Sequence, residues 1–244
     1  MSEILADHPV TAETQFRYER KFVPTVISRQ QIEGSLRLHP AAFREIYRPR
    51  FVNNIYFDTP SLGNYRANVD GLARRLKVRI RWYGNSFGEV SQPKLEIKER
   101  IGQLGTKHIA PLKAFDVRPG MTADELYDRL EKTDVLAEFT AYLRSVRAVL
   151  LNHYTRRYWM SRDGRFRVTL DWGIRYYRML GRRYDFSHPR HDFGKLILEL
   201  KYQREMDPDA ARISRDFPCR LNKSSKYVTG INLLYDALSG VSTD

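Results

Sequence analysis

Between Arg74 and Tyr83 apolar and basic residues alternate one by one. Leu76, Val78, Ile80 and Trp82 share one face, and Arg75, Lys77, Arg79 and Arg81 share the other. A period of two over this length predicts a β-strand with one apolar and one polar face. Like charges side by side on a strand repel. A face of cations with no carboxylate among them therefore calls for an anion.

The same alternation recurs along the chain. Phe16–Phe22 puts Glu19 and Lys21 opposite Tyr18, Arg20 and Phe22. Lys94–Arg100 sets Lys94, Glu96, Lys98 and Arg100 against Leu95 and Ile97. His153–Ser161 carries Tyr154, Arg156 and Tyr158 on one face, and Asp163-Gly164 reads as a hairpin turn. Arg165–Trp172 sets Arg165, Arg167, Thr169 and Asp171 against Phe166, Val168, Leu170 and Trp172. Lys195–Tyr202 sets Lys195, Ile197, Glu199 and Lys201 against Leu196, Leu198, Leu200 and Tyr202. Phe51–Asp58 is a further strand, and Ile174–Leu180 reads as a short edge strand. Residues 101–106 read as a glycine-bearing turn before a short return strand from Lys107. Helical signals are fewer. Ser28 caps a helix over Arg29–Leu38. Thr122-Ala123-Asp124-Glu125 opens a helical insert over 122–150, with Leu136, Phe139, Leu143, Val146 and Leu150 at helical spacing. Ser224 or Ser225 opens a last helix through Val228, Ile231, Leu234, Tyr235 and Leu238. Residues 1–14 read as a flexible leader, and 15–240 as a single domain.

Two architectures fit strands with one apolar and one charged face. An antiparallel sheet can leave its charged face in water. Alternatively a closed antiparallel barrel holds the charged face inside a ligand-bearing lumen, with helices covering the apolar exterior. Composition bears on the choice. The 244 residues carry a formal charge of +13, which suggests a polyanionic partner. One cysteine, Cys219, rules out an intrachain disulfide and fits a reducing compartment. No apolar run approaches membrane-spanning length and no secretory layout opens the chain, so a cytoplasmic protein without stable membrane insertion is expected. A basic lumen suits phosphate, which arginine grips through its planar fork. The inward carboxylates Glu19, Glu96, Asp171 and Glu199 either pair with cations or hold a divalent metal. Metal binding is the preferred reading for Glu199, and ion pairing for the other three. Nucleic acid is not the expected partner, because the basic residues lie on periodic strand faces and not on a helix or tail.

Six short motifs carry a resemblance to a known family. They are Tyr56–Pro60, Lys77–Gly84, Leu95–Lys98, Arg167–Asp171, Leu198–Tyr202 and Lys223–Val228. In this order they resemble the catalytic domain of the vacuolar transporter chaperone (VTC) polyphosphate polymerases, within the triphosphate tunnel metalloenzymes. The resemblance implies an α+β fold built on a closed, tunnel-shaped antiparallel barrel that binds ATP or another triphosphate and inorganic polyphosphate. It implies a divalent metal, manganese favoured over magnesium, on Glu199. It implies catalytic phosphate contacts from Arg79, Arg81, Lys98, Arg156 and Arg167, and substrate contacts from Lys21, Lys107, Lys201, Ser225 and Lys226. Arg75 and Lys77, nearer the start of their strand, are expected to guide a chain at the tunnel mouth.

The sequence departs from the superfamily's hydrolases. Their opening Glu-x-Glu-x-Lys strand is reduced to Glu19-Arg20-Lys21, with Arg17 at the first carboxylate position. Two-metal hydrolysis needs several acidic ligands, and this lumen is rich in bases. The expected activity is therefore transfer of the ATP γ-phosphate onto a polyphosphate chain. A metal-dependent triphosphatase and a non-catalytic polyphosphate-binding module are the alternatives. The regulatory inositol-phosphate domain and membrane helices of the eukaryotic polymerases are not found within these 244 residues.

Overall fold

A computed structural model describes residues 11–13, 17–102, 104–131 and 137–235 of the chain. In chain order the elements are β1 (Thr11–Glu13), β2 (Arg17–Phe22), α1 (Arg29–Leu38), β3 (Arg44–Asp58), α2 (Gly63–Val69), β4 (Arg74–Tyr83) and β5 (Gly88–Val90). Then follow β6 (Lys94–Ile101), β7 (Leu104–Pro111), β8 (Phe115–Val117), β9 (Met121–Thr122), α3 (Ala123–Glu131) and α4 (Ala137–Ser145). The remainder is β10 (Arg147–Met160), β11 (Arg167–Arg178), β12 (Arg183–Tyr184), β13 (Arg190–Asp192), β14 (Ile197–Gln203), α5 (Asp207–Arg215) and α6 (Lys226–Tyr235). The main sheet is antiparallel, in the order β1-β7-β6-β4-β3-β10-β11-β14-β2, with β13 also on β11. The fold is therefore mixed α+β around one large antiparallel sheet.

This sheet is rolled. Lys21 on β2 donates to the Ser224 carbonyl at 3.0 Å, and Lys77 on β4 donates to the neighbouring Ser225 hydroxyl at 3.2 Å. β2 and β4 stand five strand steps apart, about 24 Å across a flat sheet. Only curvature brings their side chains to adjacent residues. The pairing itself stays open, because no ladder joins β2 to β7 or β1 among the described residues. The closed barrel expected from the sequence is thus not completed by hydrogen bonds.

Three apolar clusters follow from the roll. On one half of the outer face Ile55, Val78, Ile80, Trp82, Leu95 and Ile97 pack with Leu126 and Leu130 of α3 and Phe139 and Leu143 of α4. On the other half Phe166, Val168, Leu170, Leu198 and Leu200 pack with Ile32 and Leu36 of α1 and Ala210 and Ile213 of α5. The third cluster lies on the inner face, where Tyr56, Leu150, Tyr154, Tyr176 and Ile197 pack with Tyr227, Ile231 and Leu234 of α6. All helices were expected outside. α6 instead fills part of the interior, because its apolar stripe matches a stretch of inner face that carries aromatic and aliphatic residues.

Further departures have local causes. The helical insert stops at Ser145, and Val149 and Leu150 belong to β10. This run is buried on both sides, Ala148 and Leu151 against the outer cluster and Val149 and Leu150 against α6. A doubly covered strand loses its alternation and reads as a helix face. Arg165–Trp172 and Ile174–Leu180 are not separate strands but largely one, β11. Gly173, at φ +63°, sits opposite a register shift on β10 between His153 and Thr155. This bulge turns Ile174 and Tyr176 to the inner face, whereas Val168 and Leu170 face outward. Residues 11–13 of the expected leader form β1 on β7. Residues 63–69, which carry no helical signal in the sequence pattern, form α2. Leu136 and Leu238 lie outside the described residues. The strands Arg74–Tyr83 and Lys94–Arg100 and the Ser28-capped α1 form where the pattern places them, with β6 running one residue further to Ile101. The return strand β7 instead starts at Leu104, inside the turn expected over 101–106.

The approach of α6 to the sheet depends on Gly230. A Cβ there would lie 2.6 Å from Tyr176 Cδ1 and 2.7 Å from Leu150 Cδ2. Gly230→Ala is expected to cost about 1–3 kcal/mol by overpacking. A thermal melt should show the lowered midpoint, and an unchanged midpoint would refute the close packing.

Candidate active site

Register sets the inner face out in lateral rows. Lys77, Lys98 and Lys107 stand directly opposite one another on β4, β6 and β7. Beside them run Tyr56, Arg79 and Glu96 on β3, β4 and β6. On the far half, Thr169, Glu199 and Lys21 form a row across β11, β14 and β2, flanked by the row Arg167, Lys201 and Glu19. Arg156 on β10 faces Asp171 on β11. The first residue of α6, Lys226, reaches the same place.

Three carboxylates organise the cations, each on its own strand. Glu96 accepts from Arg79 at 2.7 and 2.5 Å and from Lys107 at 2.9 Å, with Arg81 at 3.7 Å. Asp171, fully buried, accepts a two-pronged pair from Arg156 at 2.5 and 2.6 Å and a bond from Lys226. Glu199 meets Lys201 at 2.9 Å, Arg156 at 3.2 Å and Lys21 at 3.7 Å, and accepts from Thr169 at 3.4 Å. The fourth carboxylate, Glu19, is more open. It meets Lys21 at 2.9 Å and Lys201 at 3.7 Å, so two lysines lie between two carboxylates. Aromatic rings line the cluster. Tyr154 lies under Lys226 at 4.6 Å and Arg156 at 5.4 Å, and Tyr56 accepts from Arg79 at 3.4 Å.

Charge regulation follows this layout. Burial opposes ionisation of Glu199, but Lys201, Arg156, Lys21 and Lys226 hold it well below the usual carboxylate range. Glu96 and Asp171 are held down in the same way by their own cations against the cost of burial. Partial burial and the Glu199 charge would raise Glu19, yet Lys201, Lys21 and Lys98 hold it at about 2. The lysine row goes the other way. Burial first, then Lys21, Arg79 and Lys98, push Lys77 down to about 7, with Glu19 opposing. Lys98 and Lys107 are lowered too, chiefly by burial.

The face therefore presents more cation than its carboxylates neutralise. Lys21, Lys77, Arg79, Arg81, Lys98, Lys107, Arg156, Arg167, Lys201 and Lys226 share four acids. Among the described residues Lys98 has no hydrogen bond or ion pair, and the buried Nε of Arg167 has no partner. A buried donor without a partner, such as the Arg167 Nε, is costly until an anion arrives.

Every site residue expected from the sequence lies on or beside this face. Glu199, Arg156, Lys21, Lys201 and Lys226 form one contiguous network, and Arg79, Arg81 and Lys107 gather on Glu96. Ser225 joins through Lys77. Lys77 itself stands within the lysine row against Ser225, and not at a rim as its place near the strand start suggested. The curvature of the sheet, absent from any local pattern, carries it there. Asn54, which accepts from Arg81 at 2.9 Å and donates to Asn152 at 2.8 Å, had no sequence signal beyond its strand. Among the described residues no three His, Cys, Asp or Glu side chains come together as a metal cage. Glu199 and Glu19 nonetheless suit a hard divalent cation of the kind bound by one or two carboxylates and the phosphate oxygens of a substrate.

Lys77 makes the charge of this face pH-dependent. Its folded value of about 7 lies below the ordinary 10.5, so between these values the unfolded chain holds a proton that the folded chain lacks. Its contribution to stability without ligand therefore rises with pH across that window. An anion favours the ammonium, so tripolyphosphate binding at pH 8 should take up about one proton more in the unaltered chain than in Lys77→Met. Calorimetry in buffers of different ionisation heat measures this. Equal uptake in the two chains would refute the assignment.

Comparison with known proteins agrees with this fold. A solved structure of a candidate adenylate cyclase from Bacillus halodurans superposes with a TM-score of 0.53 at 11% identity, covering 89% of this chain and 97% of that one. Another, a candidate adenylate cyclase from Vibrio parahaemolyticus, gives 0.50 at 12% identity, covering 88% and 97%. At such identities the likeness speaks for the fold. No curated protein sequence matches the chain. No helix among the described residues is long and apolar enough to cross a membrane. The sequence profile of the VTC domain matches residues 12–235, and the chain belongs to that family.

Proposed function

We propose that the protein is a phosphotransferase that moves the γ-phosphate of ATP onto an inorganic polyphosphate chain within a basic tunnel. The observation that carries this reading is the surplus of inward cations over carboxylates, with three lysines opposed across adjacent strands. A surface built for water or for a protein partner mixes its charges, whereas a row of like charges is relieved by a polyanion. Membership of the VTC family supports a function involving triphosphates. The fold supports a tunnel, since its two sheet edges β1 and β2 are neighbours in sequence and the sheet already curves round. On this reading residues 15–240 act as one domain, and an ATP donor suits a cytoplasmic site of action.

The roles follow from charge and position. Arg79, Arg81, Lys98, Arg156 and Arg167 bind the triphosphate and offset the charge that builds on the transferring group. Lys21, Lys107, Lys201, Ser225 and Lys226 orient the donor and the acceptor chain. A terminal phosphate oxygen of the chain is the nucleophile, so no side chain forms a covalent intermediate. Glu199, with Glu19 beside it, would hold a divalent metal, manganese favoured over magnesium, whose chemistry would be to neutralise charge on the phosphate oxygens. Lys21 and Lys201, which lie between the two carboxylates, would then be free to meet the phosphates.

Incubation with ATP and manganese, with products sized on a gel, is expected to yield a long phosphate polymer. Orthophosphate alone would overturn the polymerase reading in favour of a triphosphatase. Tight polyphosphate binding without turnover would leave a binding module. Glu199→Ala is expected to reduce metal-dependent turnover by at least about a hundredfold, as loss of a principal metal ligand does. Full activity in that variant would refute the metal assignment.

A further inference from the structure

Beyond the charged network the inner face continues into a different chemistry. Tyr158 follows Arg156 on the inward side of β10, and its ring lies 5.9 Å from the Arg156 guanidinium. The same ring meets Tyr47 edge-on at 5.6 Å. Arg50 sits among the three rings, 4.0 Å from the centre of Tyr47 and 5.9 Å from those of Tyr83 and Tyr158. No carboxylate pairs with Arg50 among the described residues. Tyr158 is buried, but Tyr47 and Tyr83 remain 47% and 52% exposed.

Register ties this patch to the reactive cluster. Tyr158 faces Thr169, which faces Glu199, so the patch starts two strand spacings from Glu199, roughly 10 Å. The charged network thus passes through Arg156 into exposed aromatic surface on one continuous face.

A polyphosphate chain has no π face and gains nothing from tyrosine rings. Nucleobases stack on aromatic rings and on guanidinium planes. Resting on the triphosphate reading above, we infer that Tyr47, Arg50, Tyr83 and Tyr158 form a stacking platform for the base of a nucleoside triphosphate whose phosphates lie toward Arg156 and Glu199. The platform makes a nucleoside triphosphate, and not bare tripolyphosphate, the donor that this end of the face recognises. Stacking tolerates any base, so the class recognised is nucleoside triphosphates in general.

Titration of the full chain with ATP and with tripolyphosphate, both with manganese, tests this. Tyr47→Ala/Tyr83→Ala is expected to weaken ATP about tenfold and to leave tripolyphosphate within about twofold. Tyr47→Phe/Tyr83→Phe, which keeps the rings, is expected to bind ATP like the unaltered chain. Retained tripolyphosphate binding shows that the alanine variant is folded. Equal losses for both ligands, or no loss for ATP, would overturn the platform while leaving the phosphate site intact. Failure of the unaltered chain to bind either ligand would overturn the triphosphate reading first and the platform with it. A single-stranded oligonucleotide that outcompetes ATP, and loses its hold in the alanine variant, would assign the patch to nucleic acid and overturn the proposal.

Discussion

The structure depends on how cations are kept together on an enclosed face. Charges taken out of water cost several kcal/mol each unless paired. Here each buried carboxylate serves several cations. Asp171 holds Arg156 and Lys226, Glu199 holds Lys201, Arg156 and Lys21, and Glu96 holds Arg79, Lys107 and Arg81. Each sits on a different strand and faces partners on others, so these pairs also tie strands across the sheet. Arg156 bridges Asp171 and Glu199 and so links the α6 contact to the β14–β2 edge. The pairing is incomplete by design of the composition. Lys77 responds by shedding its proton near neutrality, and the Arg167 Nε is left without a partner.

α6 shows how this electrostatic demand meets packing. Its first residue, Lys226, supplies a cation to Asp171, and its second, Tyr227, donates to the buried Asp58. Asp58 in turn accepts from the backbone amides of Thr59, Asn64 and Tyr65, fixing the turn into α2. The rest of the helix buries Ile231 and Leu234 on inner-face aromatics through the gap left by Gly230. The helix that fills one part of the interior thus also completes the charged part. A lumen lined wholly with charge would leave that helix nothing apolar to pack on.

Much of this was legible beforehand. Strict alternation in Arg74–Tyr83, Lys94–Arg100 and Arg165–Trp172 named the inward residues, because a strand's side chains have no choice but to alternate. The exception is Arg165, which lies before β11 and pairs with Asp163 and Asp209. The ion-pairing role read for Glu96 and Asp171 follows from an acid standing on a face of bases, and both carboxylates meet their cations in the fold. Where both faces of a strand are covered, as at Val149–Leu151, the pattern loses its period and the strand reads as a helix. Where one glycine adds a bulge, as at Gly173, the parity switches and one strand reads as two.

By itself the sequence determined which residues share a face, that this face is basic, and that an anion is needed to balance it. These are consequences of local periodicity and charge. Only the tertiary structure decided which faces meet. The β14–β2 pairing set two lysines between Glu19 and Glu199. Rolling brought Lys21 and Lys77 to the adjacent residues Ser224 and Ser225 and turned α6 inward. It also ran the charged face on into the rings around Arg50. Such contacts join residues up to about two hundred positions apart through the curvature of the whole sheet, a long-range property that no local pattern encodes.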